Sequence, residues 1–268
     1  MDCLRDWIGR TETREDMIAP APVAGLSALL DHDRPRAVVG DPLPPCWHWL
    51  YFLDVVPASA LDVDGHRKRG GFMPPIPLPR RMWAGSRLRF HAPLRVGDEA
   101  RRVSTVADIR HKQGRRGELD FLTLRHEIHA AGTLVIEEEQ DVVFREPVAG
   151  TAVSLPAPAA AEWSRPVTPD PVLLFRYSAL TYNSHRIHYD RDYAVGVEGY
   201  GSLVVQGPLT ATLLLELLYR EQPAAQLEAF EFRALRPLLE GSVLTLQGRL
   251  EGSEALVWAL DSGGALAM

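Results

Sequence analysis

The sequence predicts an α+β protein made of two similar halves, in which an antiparallel sheet curls round one apolar helix. Three observations support this prediction. A Pro- and Ala-rich segment divides the chain nearly in half, a P-L-x-x-G pattern occurs on each side of it, and one helix candidate is apolar on almost every face. At 268 residues, the chain is long enough for two compact units.

The dividing segment reads PVAGTAVSLPAPAAAEWSRPVTPDP and has the composition of a linker, because Pro, Ala and Ser dominate it and no periodicity is strong. We therefore expect an N-terminal half over residues 1–147, a linker over residues 148–170 and a C-terminal half over residues 171–268.

The P-L-x-x-G pattern begins at Pro93 and again at Pro237, so the two halves look alike. Alternating apolar and polar residues predict strands in both halves. These strands are expected over residues 87–91, 103–109, 119–130, 134–144, 229–235, 243–250 and 255–260. Because only Ala265–Met268 follow Gly264, the last strand of the second half is expected to be short or absent.

The sharpest helix candidate is GPLTATLLLELLYR at residues 207–220. Pro208 suits the first turn, where its missing N–H costs nothing. The leucines cover nearly the whole circumference, which favours a helix that is wrapped by a sheet over one that lies on a surface. The first half is expected to carry a corresponding apolar helix before its strands.

Bulk properties exclude several classes of protein. The net charge of −6 argues against a nucleic-acid partner, because phosphate binding favours a basic face. No apolar run is long enough to span a membrane, and the N-terminus has no apolar signal core. The two cysteines, Cys3 and Cys46, form no CxxC or zinc spacing. We expect a soluble cytoplasmic protein without a membrane partner.

Titratable residues are densest in YSALTYNSHRIHYDRDYA at residues 177–194, between a predicted strand over residues 172–178 and the apolar helix. Three interpretations are open. His185 and His188 have the i, i+3 spacing of metal ligands on a helix, but a zinc site needs three or four ligands. The polar residues could equally be caps and turns around a short helix.

General acid–base catalysis is the third interpretation. Histidine titrates near neutrality, so His188 suits proton transfer. Asn183 lies five residues earlier and could hold a water molecule against it. Gly207 opens the apolar helix, so its N–H would point from the positive helix end at a developing oxyanion.

The motif, followed by GSLVVQGPL, resembles the hydratase motif of MaoC-like hydratases and dehydratases. It is most similar to the branch with 3-hydroxyacyl-thioester dehydratase type 2, mesaconyl-CoA hydratase and itaconyl-CoA hydratase. The run MPPIPLPRRMWAG at residues 73–85 extends the resemblance over most of the chain. The resemblance implies a double hotdog fold with a degenerate N-terminal half that shapes an acyl pocket. It also implies reversible hydration of an enoyl thioester, carried on CoA or acyl carrier protein, without a metal or cofactor, and self-association into a homo-oligomer.

The family motif usually reads D-x-N-P-x-H, with Asp and His as the catalytic pair. His188 matches the histidine, but Asn183 stands at the Asp position, His185 at the Asn position and Arg186 at the Pro position. Because an amide cannot take a proton, Asn183 is expected only to orient water or substrate, and His188 to act as the main base. His185 or Asp190 is expected to supply what the missing aspartate did.

Arginines are the expected anchors for phosphates or a second substrate carboxylate. The candidates are Arg80, Arg81 and Arg186. If Arg186 binds a substrate carboxylate, dicarboxylic thioesters should be preferred over crotonyl-CoA. Tyr182 and Gln206 are also predicted to contact the substrate.

Two other functions stay open. Thioesterases share the fold and use an acidic residue on or near the central helix, where Glu216 is the only acid of the second-half helix. A protein that binds an acyl thioester without turning it over is the other alternative, because Asn183 replaces the usual aspartate.

Overall fold

The structure is a computed structural model that describes residues 2–33, 38–114, 117–147 and 154–268. The chain divides into two compact units, and each contains pieces that are distant in sequence. The first unit comprises Met1–Ala149, Leu180–Asn183 and Leu227–Glu231. The second comprises Gly150–Ala179, Ser184–Gln226 and Phe232–Met268.

The first unit is built on a six-stranded sheet with the order β1-β3-β4-β5-β2-β7. The strands of this sheet are β1 (Thr11–Met17), β2 (Arg80–Phe90), β3 (Glu99–Gly114), β4 (Gly117–Ala130), β5 (Thr133–Arg145) and β7 (Ala229–Arg233), of which residues 229–231 belong to this unit. Its helical elements are α1 (Asp2–Arg5), α2 (Pro20–Leu29) and the 3₁₀ turns Trp47–Leu50 and Ala58–Ala60. The strands predicted in the first half are confirmed, although β2 and β3 are longer than expected.

One face of this sheet forms an apolar core. Val106, Leu122, Leu124, Val142 and Phe144 are buried at alternate positions of β3, β4 and β5. The register places Leu122 opposite Val142, so the two side chains share a face. The helix of this unit, α2, has only ten residues and is shorter than expected.

The strand β7 lies at the sheet edge beside β2, although its sequence belongs to the predicted C-terminal half. The backbone N–H of Phe90 donates to the carbonyl of Glu228 over 2.9 Å just before this strand. The strand prediction for residues 229–235 is therefore correct in type but wrong in the sheet to which the strand belongs. Alternation identifies a strand without identifying its neighbour, because pairing depends on residues far away in sequence.

The second unit contains a three-stranded antiparallel sheet with the order β6-β8-β9 and the apolar helix. Its elements are β6 (Trp163–Val167), α3 (Pro171–Leu180), a 3₁₀ turn (Arg186–His188), a π-helical turn (Tyr193–Val197), α4 (Gly207–Glu221), β8 (Leu244–Glu251) and β9 (Glu254–Leu260). The predicted helix at residues 207–220 is confirmed as α4, whose leucines are buried and which packs against β6, β8 and β9. After β9, Leu266 forms an isolated bridge to Leu260, and its N–H donates to the carbonyl of Leu155 at 2.8 Å.

Part of the predicted linker forms the strand β6. Residues 148–153 of that segment lie outside the described residues, whereas Trp163–Val167 pairs with β8. The pairing needs a glycine at position 248, because a Cβ there would lie 2.9 Å from the Trp163 ring. Pro166 is tolerated because β6 is an edge strand of the described sheet.

The strand predicted over residues 172–178 is wrong, because these residues form the helix α3. The side chain of Asp170 caps this helix by accepting a hydrogen bond from the Leu173 N–H at 2.7 Å. Pro171 occupies the first helical position. Short apolar runs do not separate a strand from a buried helix, so the Asp-Pro start is the signal that identifies the helix.

None of the helices in the described ranges is long and apolar enough to cross a membrane.

Candidate active site

The motif histidine His188 ends the short 3₁₀ turn that follows α3, and only 7% of its surface is exposed. Its Nδ1 lies 2.7 Å from the carbonyl oxygen of Val204. A carbonyl oxygen only accepts hydrogen bonds, so Nδ1 must carry the proton. The neutral ring therefore has its basic lone pair on Nε2.

Burial lowers the pKa of His188 to about 4, and the hydrogen bond to Val204 offsets this effect only in part. The ring is consequently neutral near pH 7 and able to accept a proton. The imidazolium that forms is more acidic than an exposed one, because the protein interior solvates the charged ring poorly. A histidine in this state can take a proton from water and return it in the same catalytic cycle.

The segment before α4 holds His188 in place. The Val204 N–H donates to the carbonyl of Ile187 at 2.9 Å, and the Val205 N–H donates to the carbonyl of Leu238 at 2.9 Å. Gly207 is the first residue of α4, so its N–H has no acceptor within the helix and lies at the positive end of the helix dipole. In the second unit, the residue that fixes the neutral imidazole, Val204, thus lies three residues before the N-terminus of α4.

His185 is buried and packs edge-to-face against His188, with ring centroids 5.4 Å apart and planes at 87°. This contact restricts the rotation of the His188 ring. The role of His185 in proton transfer stays a prediction from the sequence.

Arg186 and Asp190 form an ion pair within the motif. The Nε and Nη2 of Arg186 donate to Oδ2 of Asp190 at 3.0 and 2.7 Å, and the guanidinium lies 4.2 Å from the centroid of the Tyr193 ring. Hydrogen bonds from the Tyr193 N–H and from Arg186 lower the pKa of Asp190. Asp190 is thus an ionised acceptor and a poor proton donor, and Arg186 already has a carboxylate partner.

Tyr182 and Asn183 belong to the short segment that clusters with the first unit. Tyr182 adopts a left-handed backbone conformation with φ of +50° and is exposed, whereas Asn183 is half-buried. Their predicted roles in substrate and water binding stay predictions.

Arg80 and Arg81 begin β2 in the first unit. Arg81 pairs with the fully buried Phe144 across the sheet, so it projects towards the apolar face. Burial lowers the pKa of Arg81 to about 10, and the nearby charge of Asp64 offsets this effect in part. Arg80 pairs with Arg145 and is half-buried. Both arginines stay predicted anchors for substrate.

Comparison with known proteins decides the family. The family model for hydroxyacyl-thioester dehydratase type 2 matches residues 46–240, which is more than half of the chain. The chain belongs to this family. The chain is also 48% identical over 266 residues to mesaconyl-C(4)-CoA hydratase of Chloroflexus aurantiacus, covering 98% of this chain and 94% of that protein. The resemblance inferred from the motif is confirmed.

Solved structures agree with the fold. HtdX of Mycobacterium tuberculosis superposes with a TM-score of 0.66 at 16% identity, covering 96% of this chain and 97% of that chain. A second M. tuberculosis protein, described as a double hotdog, gives a TM-score of 0.54 at 16% identity over 97% of this chain and 93% of that one. The double hotdog prediction is confirmed, as is the prediction of a hydro-lyase that acts on acyl thioesters.

Sequence reasoning missed an Asp–His pair in this member of the dehydratase type 2 family. Asp64 accepts hydrogen bonds from Nδ1 of His66 at 2.9 Å and from the backbone N–H of His66 at 2.8 Å. Burial raises the pKa of Asp64, but the bonds from His66 outweigh it and hold the pKa well below its usual range. The D-x-H spacing at residues 64–66 is a local signal that could have identified the pair.

A buried carboxylate in the first unit was also missed. Glu138 on β5 accepts hydrogen bonds from the His48 ring at 3.1 Å, the Trp49 indole at 3.0 Å and the Ser86 hydroxyl at 2.7 Å. These donors lie 52 to 90 residues away in sequence. The only local signal was an acid at an inward position of the strand, opposite the buried His126.

Stability is expected to fall as the pH drops from 6.5 to 4. Burial lowers the pKa of His126 and of His188 from 6.5 to about 4, so the unfolded chain binds these protons more readily than the folded chain. Protonation of each histidine therefore lowers the free energy of unfolding by about 3 kcal/mol across this range. Above pH 6.5, neither histidine changes the stability. Urea unfolding at several pH values measures the effect, and a stability that stays constant between pH 6.5 and 4 would contradict it.

Proposed function

We propose that this chain hydrates an enoyl-CoA that carries a second carboxylate, and that His188 is the base. The observation that supports this proposal is the fixed tautomer of His188, which places its lone pair on Nε2 within the segment that leads into α4. The 48% identical relative is named for a C4-dicarboxylic thioester, mesaconyl-C(4)-CoA, which supports the substrate class and CoA as the carrier. Cytoplasmic location and self-association stay predictions from the sequence.

In the proposed hydration, Nε2 of His188 takes a proton from water while the water oxygen bonds to the β-carbon of the enoyl thioester. Electrons move onto the thioester oxygen, and the Gly207 N–H stabilises the enolate, with an effect of about 3 kcal/mol for one such donor. The imidazolium then gives its proton to the α-carbon. The protons balance, and dehydration follows the same steps in reverse.

The first experiment is an assay of the purified chain with crotonyl-, mesaconyl-C(4)- and itaconyl-CoA, following enoyl absorbance and free thiol together. We expect enoyl absorbance to fall without thiol release, and to fall fastest with a dicarboxylic substrate. Thiol release would instead indicate a thioesterase. Binding without either signal would indicate a non-catalytic acyl-thioester binder and contradict the proposal.

Arg81 is the better candidate for binding the second carboxylate. Arg186 already donates to Asp190 through two nitrogens, whereas the described carboxylates that raise the pKa of Arg81, first among them Asp64, act on it through their charge. We expect Arg81→Met to raise KM for the preferred dicarboxylic substrate about 10- to 100-fold, which corresponds to one lost charge-assisted hydrogen bond. Activity on crotonyl-CoA should change much less.

Arg186→Met is the matched comparison, because it removes the same charge from the motif. This variant should keep the preference for the dicarboxylic substrate if Arg186 serves only to hold Asp190. A loss of that preference in Arg186→Met, with an unchanged Arg81→Met variant, would return the role to Arg186.

A further inference from the structure

Gln206 directly precedes α4, and its side chain is almost completely buried, with 1% of its surface exposed. Its Nε2 donates to the carbonyl of Leu174 and to the hydroxyl of Ser178, both at 2.9 Å. Because the carbonyl of Leu174 can only accept, the nitrogen must face α3. The orientation of the carboxamide is therefore fixed, and Oε1 points away from these two partners.

The amide oxygen has no such partner within the described part of the chain. Oε1 of Gln206 is shielded from solvent and accepts no hydrogen bond from any described residue. Leaving a buried acceptor unsatisfied costs about 1–3 kcal/mol, so such atoms are rare in folded proteins. The oxygen therefore marks a place where a donor from outside the chain is expected to bind.

The position of Gln206 relates this oxygen to the catalytic base. Val204, which accepts the hydrogen bond from His188, lies two residues before Gln206 on the same segment. That segment is fixed by backbone hydrogen bonds to Ile187 and Leu238. The imidazole of His188 and the carboxamide of Gln206 are thus both anchored to one short stretch of the second unit.

We infer that Oε1 of Gln206 accepts a hydrogen bond from the oxygen that hydration adds to the substrate, which makes Gln206 a positioning residue for that oxygen. This inference rests on the proposed hydratase function. In hydration the oxygen belongs to water, and in dehydration it is the 3-hydroxyl oxygen of the thioester.

Water has two protons, and the reaction uses only one of them. His188 takes one proton through Nε2, and Gln206 holds the other O–H. The lone pair of the water oxygen is then directed at the β-carbon, where the new C–O bond forms. In dehydration, Gln206 holds the O–H of the leaving hydroxyl while the His188 imidazolium protonates its oxygen, and water departs as the C–O bond breaks. Gln206 exchanges no proton in either direction.

The test uses Gln206→Met, which keeps a similar volume and removes the acceptor. Two constants are measured with one carbon skeleton: kcat/KM for dehydration of the 3-hydroxyacyl-CoA, and the inhibition constant of the saturated acyl-CoA that lacks the hydroxyl. We expect kcat/KM to fall about 10- to 100-fold, as for a misplaced reactant. The inhibition constant of the saturated compound should change less than about twofold, because it has no hydroxyl to lose.

Gln247→Met is the matched control. Gln247 lies on β8 of the same unit, and its Oε1 already accepts a hydrogen bond from the Trp258 indole at 2.8 Å. Its replacement should leave both constants unchanged once the folded fraction is matched by circular dichroism.

A Gln206→Met variant in which both constants change together, or neither changes, would overturn the inference. Wild-type protein assayed alongside distinguishes a failure of the proposed function from a failure of the role of Gln206. If the wild type does not hydrate enoyl-CoA, the proposed function fails and the inference fails with it. If the wild type hydrates and the variant hydrates equally well, only the role of Gln206 is lost.

Discussion

Replacing His188 with alanine is expected to lower kcat for hydration by about a hundredfold or more, which is the usual contribution of a general base. The structure supplies the reason, since the buried ring is neutral, its tautomer is fixed by Val204, and its Nε2 is the basic atom. Steady-state hydration of the preferred enoyl-CoA measures the effect. In the wild type, the acid limb of kcat/KM should lie near pH 4, because burial lowers the pKa of His188 to about 4.

Two further variants separate proton transfer from structure. His188→Asn places an amide N–H where Nδ1 donates to Val204 but cannot act as a base, so it should be as inactive as the alanine variant. His126→Gln replaces another buried histidine, whose ring nitrogens are bonded to Ser104 and Gln140. The His126→Gln protein should be less stable than the wild type but should have the same turnover per folded molecule. A folded His188→Ala protein with more than about a tenth of wild-type turnover would remove His188 from the mechanism.

Replacing Glu138 with alanine is expected to lower the free energy of unfolding by about 3–5 kcal/mol. Three donors, of which His48 and Ser86 are buried, would lose their acceptor, and His48 would be left without the carboxylate that it contacts. Burial alone would raise the pKa of Glu138, but the hydrogen bond and charge of His48 lower it to about 2. The carboxylate is therefore ionised in the folded protein at neutral pH, and its contribution to stability is largest at that pH.

The neighbouring acid Glu139 provides a control of the same residue type. Its side chain is 44% exposed and pairs with Arg87 on the sheet surface. Glu139→Ala should cost less than about 1 kcal/mol, as for other exposed ion pairs. Urea unfolding at pH 7 compares the two variants, and equal losses of stability would contradict a structural role for the Glu138 network.

Much of the fold followed from local patterns. Strict alternation predicted the long strands of the first unit, because one face of each strand is buried and the other is not. Leucines around the whole circumference predicted α4, because such a helix must be covered by a sheet. The helix α3 was missed because a short apolar run fits both a strand and a buried helix, and only the Asp170-Pro171 start distinguishes the two.

For the candidate site, too, local sequence patterns predicted some features, and only the structure revealed others. The spacing in residues 183–188 and the glycine after Gln206 indicated the family and predicted His188 as the base without any structure. Sequence alone could not show that Arg186 already pairs with Asp190, or that the carboxamide oxygen of Gln206 accepts no hydrogen bond from any residue that the structure describes. Both facts depend on where side chains point after folding.

The sequence by itself determined most of the periodic elements and the family, and it predicted His188 as the base, because these inferences depend on residues that are close together in the chain. The tertiary structure alone decided that β7 joins the sheet of the first unit and that Glu138 gathers donors 52 to 90 residues away. It also decided that His188 is held in one tautomer by Val204, 16 residues further along. Strand neighbours, buried hydrogen bonds and shifted pKa values arise from contacts between distant segments, which no local pattern encodes.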